Sequence, residues 1–124
     1  MIAEPLCILT VDDSASMRAL LMNSLTQQGH KVIQAEDGRD ALELLARSDD
    51  QFDIIVTDIN MPRMDGYELI KSLREMEQYR DLPIIVLSTE NSEPKDARTA
   101  GATGWVVKPF NGSQLENSLR KITH

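Results

Sequence analysis

Short apolar runs alternate with amphipathic stretches from one end of the chain to the other. Leu6 to Val11 is a compact apolar run closed by Asp12-Asp13 and predicts a first strand. Ser14 and Ser16 then offer N-cap side chains, Met17, Leu20, Leu21, Ser24 and Leu25 recur at helical spacing, and Gly29 stands as a stop. Lys31 to Ala35 reads as a second strand, and Asp37-Gly38 opens a helix with Ala41, Leu42, Leu45 and Ala46 on one face. Phe52 to Thr57 is the third strand, followed by a sharp turn through Met61-Pro62 and Asp65-Gly66. Tyr67 to about Met76 carries Leu69, Ile70 and Leu73 at helical spacing. Asp81-Leu82-Pro83 breaks the chain before a fourth strand, Ile84 to Ser88. A helix near or after Pro94 runs to Ala100 and stops at Gly101; Gly104 to Val107 is a last strand. Asn111 caps a final helix with Leu115, Leu119 and Ile122 on its inner face.

Five strands, each followed by a helix over short connections, predict right-handed βαβ units around a parallel sheet. The third strand is β-branched and apolar without alternation, as expected of a strand buried on both faces. No repeat, low-complexity segment or linker interrupts the pattern, so residues 1–124 are expected to form one domain with no attached output module.

Composition narrows the class. A chain of 124 residues with 41% hydrophobic and 27% charged content is that of a soluble globular domain. No apolar run approaches a membrane span and the N-terminus lacks a signal-peptide pattern, so a cytoplasmic location is expected. The single cysteine, Cys7, excludes an internal disulfide and a thiolate metal cluster; among Leu6, Ile8 and Leu9 it reads as a small buried hydrophobe. A net charge of −7 argues against a nucleic-acid surface and suits a cation site or a basic partner.

Four predicted strand ends carry chemistry: Asp12-Asp13, Asp58, Ser88 and Lys108. Taken singly, each has an ordinary reading. The acidic pair suits a helix start, Ser88 a loop hydroxyl, Lys108 a solvated lysine, and Trp105 a packing residue. In a parallel sheet, however, these ends share one edge, where ligands of open α/β sheets bind. Three carboxylates in one cleft repel one another unless cations neutralise them. Lys108 supplies one charge, and oxygen ligands without nearby His or Cys favour Mg²⁺ for the rest.

With the acidic pair Asp12-Asp13, the DINMPRMDG stretch around Asp58, Ser88 and the Lys108-Pro109-Phe110 triplet in this order, the chain resembles the receiver domains of two-component response regulators. The likeness runs end to end and is strongest with the single-domain chemotaxis members of CheY type. It implies a flavodoxin-like (βα)5 doubly wound five-stranded parallel sheet in the order 2-1-3-4-5. By the same resemblance, Asp58 is the phosphoacceptor, Asp13, Asp58 and the Asn60 backbone carbonyl bind Mg²⁺, and Asp12 acts chiefly through water. Lys108 and Ser88 contact the phosphoryl group, Trp105 is the aromatic switch residue, Lys108-Pro109 is cis, and Asn60 and Glu90 tune the lifetime of the acyl phosphate. The implied partners are a CheA-like histidine kinase, a motility target such as a flagellar switch protein, and a phosphatase, with no nucleic acid or membrane partner and a monomeric state.

This sequence departs from the family pattern in three places. Ser88 stands where threonine is commoner, Trp105 is bulkier than the usual tyrosine, and the segment from Ser88 to Gly101 is shorter than in the enterobacterial chemotaxis protein and contains Pro94. Three other functions share the same residues: a phosphate sink, a receiver excised from a longer regulator, and a stand-alone Mg²⁺-dependent aspartyl phosphohydrolase.

Overall fold

The computed structural model describes residues 4–89 and 94–123. Five strands, β1 (Cys7–Val11), β2 (Lys31–Ala35), β3 (Ile54–Asp58), β4 (Ile84–Ser88) and β5 (Gly104–Val107), alternate with five helices, α1 (Ala15–Gln27), α2 (Gly38–Arg47), α3 (Gly66–Arg74), α4 (Pro94–Ala100) and α5 (Gly112–Thr123). All pairings are parallel and the sheet order is β2-β1-β3-β4-β5, as expected.

Side chains alternate across the sheet and divide the core in two. Leu9, Val11, Ile55, Ile84 and Val86 face Leu45, Leu69, Ile70, Leu73 and Ala97, from α2, α3 and α4. Ile8, Ile54, Val56, Ile85, Leu87 and Val106 face Leu21, Leu25, Leu115 and Leu119, from α1 and α5. β3 and β4 have buried residues on both faces, which is why their sequences show no polar alternation.

Caps set most helix starts. Ser14 accepts from Met17 N at 3.3 Å, and Asp37 accepts from Asp40 N at 2.8 Å. Asp65 and Glu68 form a reciprocal capping box on α3. Asn111 and Gln114 exchange backbone bonds of 2.9 and 2.8 Å at α5.

Several expectations change in detail. β3 starts at Ile54 and extends to Asp58; just before it, the Asp53 carboxylate accepts from Cys7 N at 2.7 Å. α3 ends at Arg74 and a 3-10 turn, Glu77–Tyr79, follows. The Arg74 guanidinium draws that turn in, donating to the carbonyls of Tyr79, Arg80, Leu82 and Gly101 at 2.6–3.1 Å. Leu20, expected on the inner face of α1, is 46% exposed; the buried residues of that helix, Leu21 and Leu25, are one i,i+4 pair. Cys7 opens its strand and is only partly buried, and burial raises its thiol pKa.

His30 joins three elements at the edge of the sheet opposite the strand carboxyl ends. Its Nδ1 accepts from Leu6 N at 2.9 Å, so the ring proton is on Nε2 and is donated to Glu116 of α5 at 2.8 Å. Burial pushes the Glu116 carboxyl up, but hydrogen bonds from His30 and Arg120 outweigh it and the net shift is downward. Substituting His30 with alanine strands the Leu6 N–H and opens a void, and is expected to cost about 2–4 kcal/mol in urea unfolding.

Candidate functional site

The register carries the site. Val11 pairs with Thr57, Asp58 with Leu87, and Ser88 with Val107, so Asp12, Asp58, Ser88 and Lys108 leave four adjacent strands at nearly one level. The winding reverses between β1 and β3, which places the acidic pair and Asp58 at the switch point of the sheet.

One carboxylate oxygen from each of Asp12, Asp13 and Asp58 lies within 4.8 Å of the other two. Asp12 is buried, Asp58 partly buried and Asp13 exposed. Lys108 Nζ donates to Asp58 Oδ1 at 2.9 Å, an ion pair at the carboxyl edge of the sheet. Ser88 is buried beside it, and its carbonyl accepts from Lys108 N at 2.8 Å. The Lys108-Pro109 peptide is cis. Asn60 is exposed in the loop after β3. Trp105 is partly buried on β5, with the Arg98 guanidinium 5.5 Å from its ring centroid. Glu90 lies outside the described residues.

The acidic cluster is short of positive charge. Asp12 Oδ1 accepts from Ser14 N at 2.9 Å, but Oδ2 is buried with no hydrogen-bond partner among the described residues. Burial raises the Asp12 pKa; the Ser14 bond opposes this, and the neighbouring Asp58 charge adds to it. An orphaned, buried carboxylate oxygen beside two more carboxylates fits a hard divalent cation with oxygen ligands.

A raised folded-state pKa means that the charged form is disfavoured by folding. The penalty is absent below the unfolded value and complete above the folded one. Asp12→Asn is therefore expected to stabilise the chelator-treated protein at neutral pH. Thermal melts of the two proteins should converge as the pH falls through the carboxylate range.

The loop after β3 is held closely. Gly66 N donates to the Ile59 carbonyl at 2.7 Å, and a Cβ on Gly66 would clash with the Asp58 carbonyl oxygen. Sequence reasoning identified the Asp65-Gly66 turn but missed Arg18 and Arg63. Arg18 Nη1 donates to the Asp12 carbonyl at 2.7 Å from the first turns of α1. Arg63 has φ +65°, a left-handed conformation that costs a non-glycine residue about 1 kcal/mol or more, and donates to both oxygens of Asp37. Asp37 was legible as a cap; its ionic partner, 26 residues away, was not.

Residues 8–120 match the response regulator receiver domain model. The chain is 40% identical over 118 residues to the chemotaxis protein CheY homolog of Campylobacter jejuni, covering 93% of this chain and 90% of the relative. It superposes on chemotaxis response regulator CheY4 of Vibrio cholerae with a TM-score of 0.88 at 40% identity, covering 96% of this chain and 99% of that one. The receiver domain of sensor histidine kinase PA1611 from Pseudomonas aeruginosa, which has a magnesium ion coordinated in its active-site cleft, matches with a TM-score of 0.87 at 26% identity over 97% and 98% of the two chains. The chain belongs to the response regulator receiver family. Within that family its likeness is to the chemotaxis regulators of CheY type.

Proposed function

We propose that this protein is a phosphorylation-activated switch that accepts a phosphoryl group from a histidine kinase onto Asp58 and thereby changes its affinity for a motility target. The observation that carries the reading is the convergence of Asp12, Asp13, Asp58 and Lys108 on one edge of the sheet, with Asp12 Oδ2 buried and unpartnered.

Asp12, Asp13, Asp58 and the Asn60 carbonyl are the groups to hold Mg²⁺, with Asp12 acting chiefly through water. When bound, the ion offsets negative charge on the carboxylates and on the incoming phosphoryl oxygens. An Asp58 carboxylate oxygen attacks phosphorus, the bond to the donor breaks, and an acyl phosphate forms. Lys108 Nζ, already 2.9 Å from Asp58 Oδ1, pairs with a phosphoryl oxygen as negative charge gathers there. The Ser88 hydroxyl binds another, drawing the end of β4 inward, and Trp105 on the neighbouring strand follows. Asn60 and Glu90 set how long the acyl phosphate survives attack by water. The protein assists its own phosphorylation and dephosphorylation without turning over an external substrate as an enzyme does.

Chemotaxis is the favoured setting because the CheY relatives reach 40% identity, against 26% for the kinase receiver domain. A CheA-like kinase and a flagellar switch protein are then the partners to test. Among the described residues no helix is long and apolar enough to cross a membrane.

The deciding experiment is intact-protein mass after incubation with acetyl phosphate, with and without Mg²⁺. One labile phosphoryl adduct that requires Mg²⁺ supports the switch. No adduct on folded protein would mean a vestigial or kinase-restricted acceptor and make phosphate-independent binding the leading reading, and sustained hydrolysis of the donor would favour a phosphohydrolase.

A further inference from the structure

We infer that Arg63 is a positioning residue for metal binding. Its ion pair with Asp37 holds the turn after β3 in the shape that presents the Asn60 carbonyl to Mg²⁺. The inference rests on the receiver reading above.

Three observations lead to it. Met64 N donates to the Pro62 carbonyl at 2.7 Å across Arg63, whose φ is +65°. An i→i+2 closure around a positive-φ residue is the pattern of the rare, strained form of the three-residue turn. Glycine, asparagine and aspartate enter that region most readily, and arginine has neither the missing Cβ nor the short polar side chain that helps them. Something other than local preference selects the turn.

The second observation is the anchor. Arg63 Nε and Nη2 reach Asp37 Oδ2 and Oδ1 at 2.9 and 3.1 Å. Asp37 is buried, and its Oδ1 also accepts from Asp40 N at 2.8 Å as the cap of α2. A forked donor on a fixed carboxylate defines both position and orientation. The Arg63 pair lowers the Asp37 pKa, consistent with a carboxylate that stays ionised.

Third, the same turn is tied down on either side. Gly38 N donates to the Met64 carbonyl at 3.1 Å, and a Cβ on Gly38 would meet Met64 Cγ at 2.6 Å, so α2 begins directly against the turn. Gly66 N closes onto Ile59 O at 2.7 Å. Asn60 lies inside that closure, between Ile59 and the Arg63 turn, so a swing of the turn moves the Asn60 carbonyl.

The sign of the effect separates positioning from charge. As a cation, Arg63 repels Mg²⁺, so removing its charge alone would tighten binding. Removing a support for a ligand loosens it instead. Calorimetric titration of Mg²⁺ into Arg63→Ala is expected to give a Kd about tenfold above wild type, the low end of what groups that orient metal ligands are worth. Asp37→Asn keeps a capping side chain and is expected to match it. The double variant should lose no more than either single one, and Arg63→Lys should fall between Arg63→Ala and wild type because it lacks the fork. Near-UV circular dichroism confirms that each variant is folded. Phosphorylation by acetyl phosphate should shift to higher Mg²⁺ concentration in step with the Kd.

Unchanged or tighter Mg²⁺ binding by Arg63→Ala, or additive losses in the double variant, overturns the inference while leaving the receiver reading intact. Absence of Asp58-dependent Mg²⁺ binding in the wild type overturns the receiver reading itself.

Discussion

Asp58→Asn is expected to abolish phosphoryl acceptance while leaving the protein folded. An amide oxygen is a poor nucleophile and carries no charge to help hold Mg²⁺, so both requirements for the acyl phosphate are lost together. The loss should not come from unfolding. Asp58 is one of the groups that raise the Asp12 pKa, so neutralising it relieves repulsion in the cluster. It also breaks an ion pair with Lys108, whose side chain is 25% exposed and can turn to water. Intact mass should show no adduct in the variant under conditions that modify the wild type fully, and thermal melting should show a similar or higher midpoint. An adduct at undiminished stoichiometry would place the acceptor elsewhere.

Gly66→Ala is expected to be the most damaging single-methyl change near the site. The added Cβ would fall within contact radius of the Asp58 carbonyl oxygen and tight against the Ile59 backbone. Both are main-chain atoms, which no rotamer change moves aside. Either α3 shifts outward, losing contacts of Leu69, Ile70 and Leu73, which are fully buried, or the end of β3 shifts and carries Asp58 with it. A cost of about 2–4 kcal/mol is expected in denaturant unfolding, with weaker Mg²⁺ binding in whatever folds. A variant with wild-type stability and Mg²⁺ affinity would mean that the turn at Gly66 adjusts freely. Gly112→Ala is the control, since its Cβ would meet nothing within 4 Å.

The site itself was legible to an unusual degree because its parts are strand ends. β2, β4 and β5 have the expected boundaries, and each polar residue that follows or closes a strand falls at the sheet edge by its place in the sequence. The capping residues Ser14, Asp37 and Asn111 were legible for the same reason: a cap acts within three residues of itself. Strand order is different. Alternation of strands and helices permits several windings, so residue pattern leaves the order open and only the family resemblance supplies it.

Other features were hidden because their causes are long-range. The Arg74 guanidinium donates to carbonyls on either side of the fourth strand, and nothing in its own sequence neighbourhood distinguishes it from a solvated arginine. His30 and Glu116 are 86 residues apart, and their bond depends on α5 packing back beside α1. Leu20 shows the reverse error: helical spacing admits it to the inner stripe, but the width of the stripe that the sheet covers leaves it outside.

Sequence alone therefore determined the element pattern, the parallel sheet and the residue types that gather at its carboxyl edge, because hydrophobic period and turn chemistry are local properties. Only the tertiary structure decided how those residues are supported: the tautomer of His30, the buried orphan oxygen of Asp12, and the left-handed Arg63 held by Asp37. Each depends on a distance between residues far apart in the chain, and such distances exist only once the two cores have closed on the sheet.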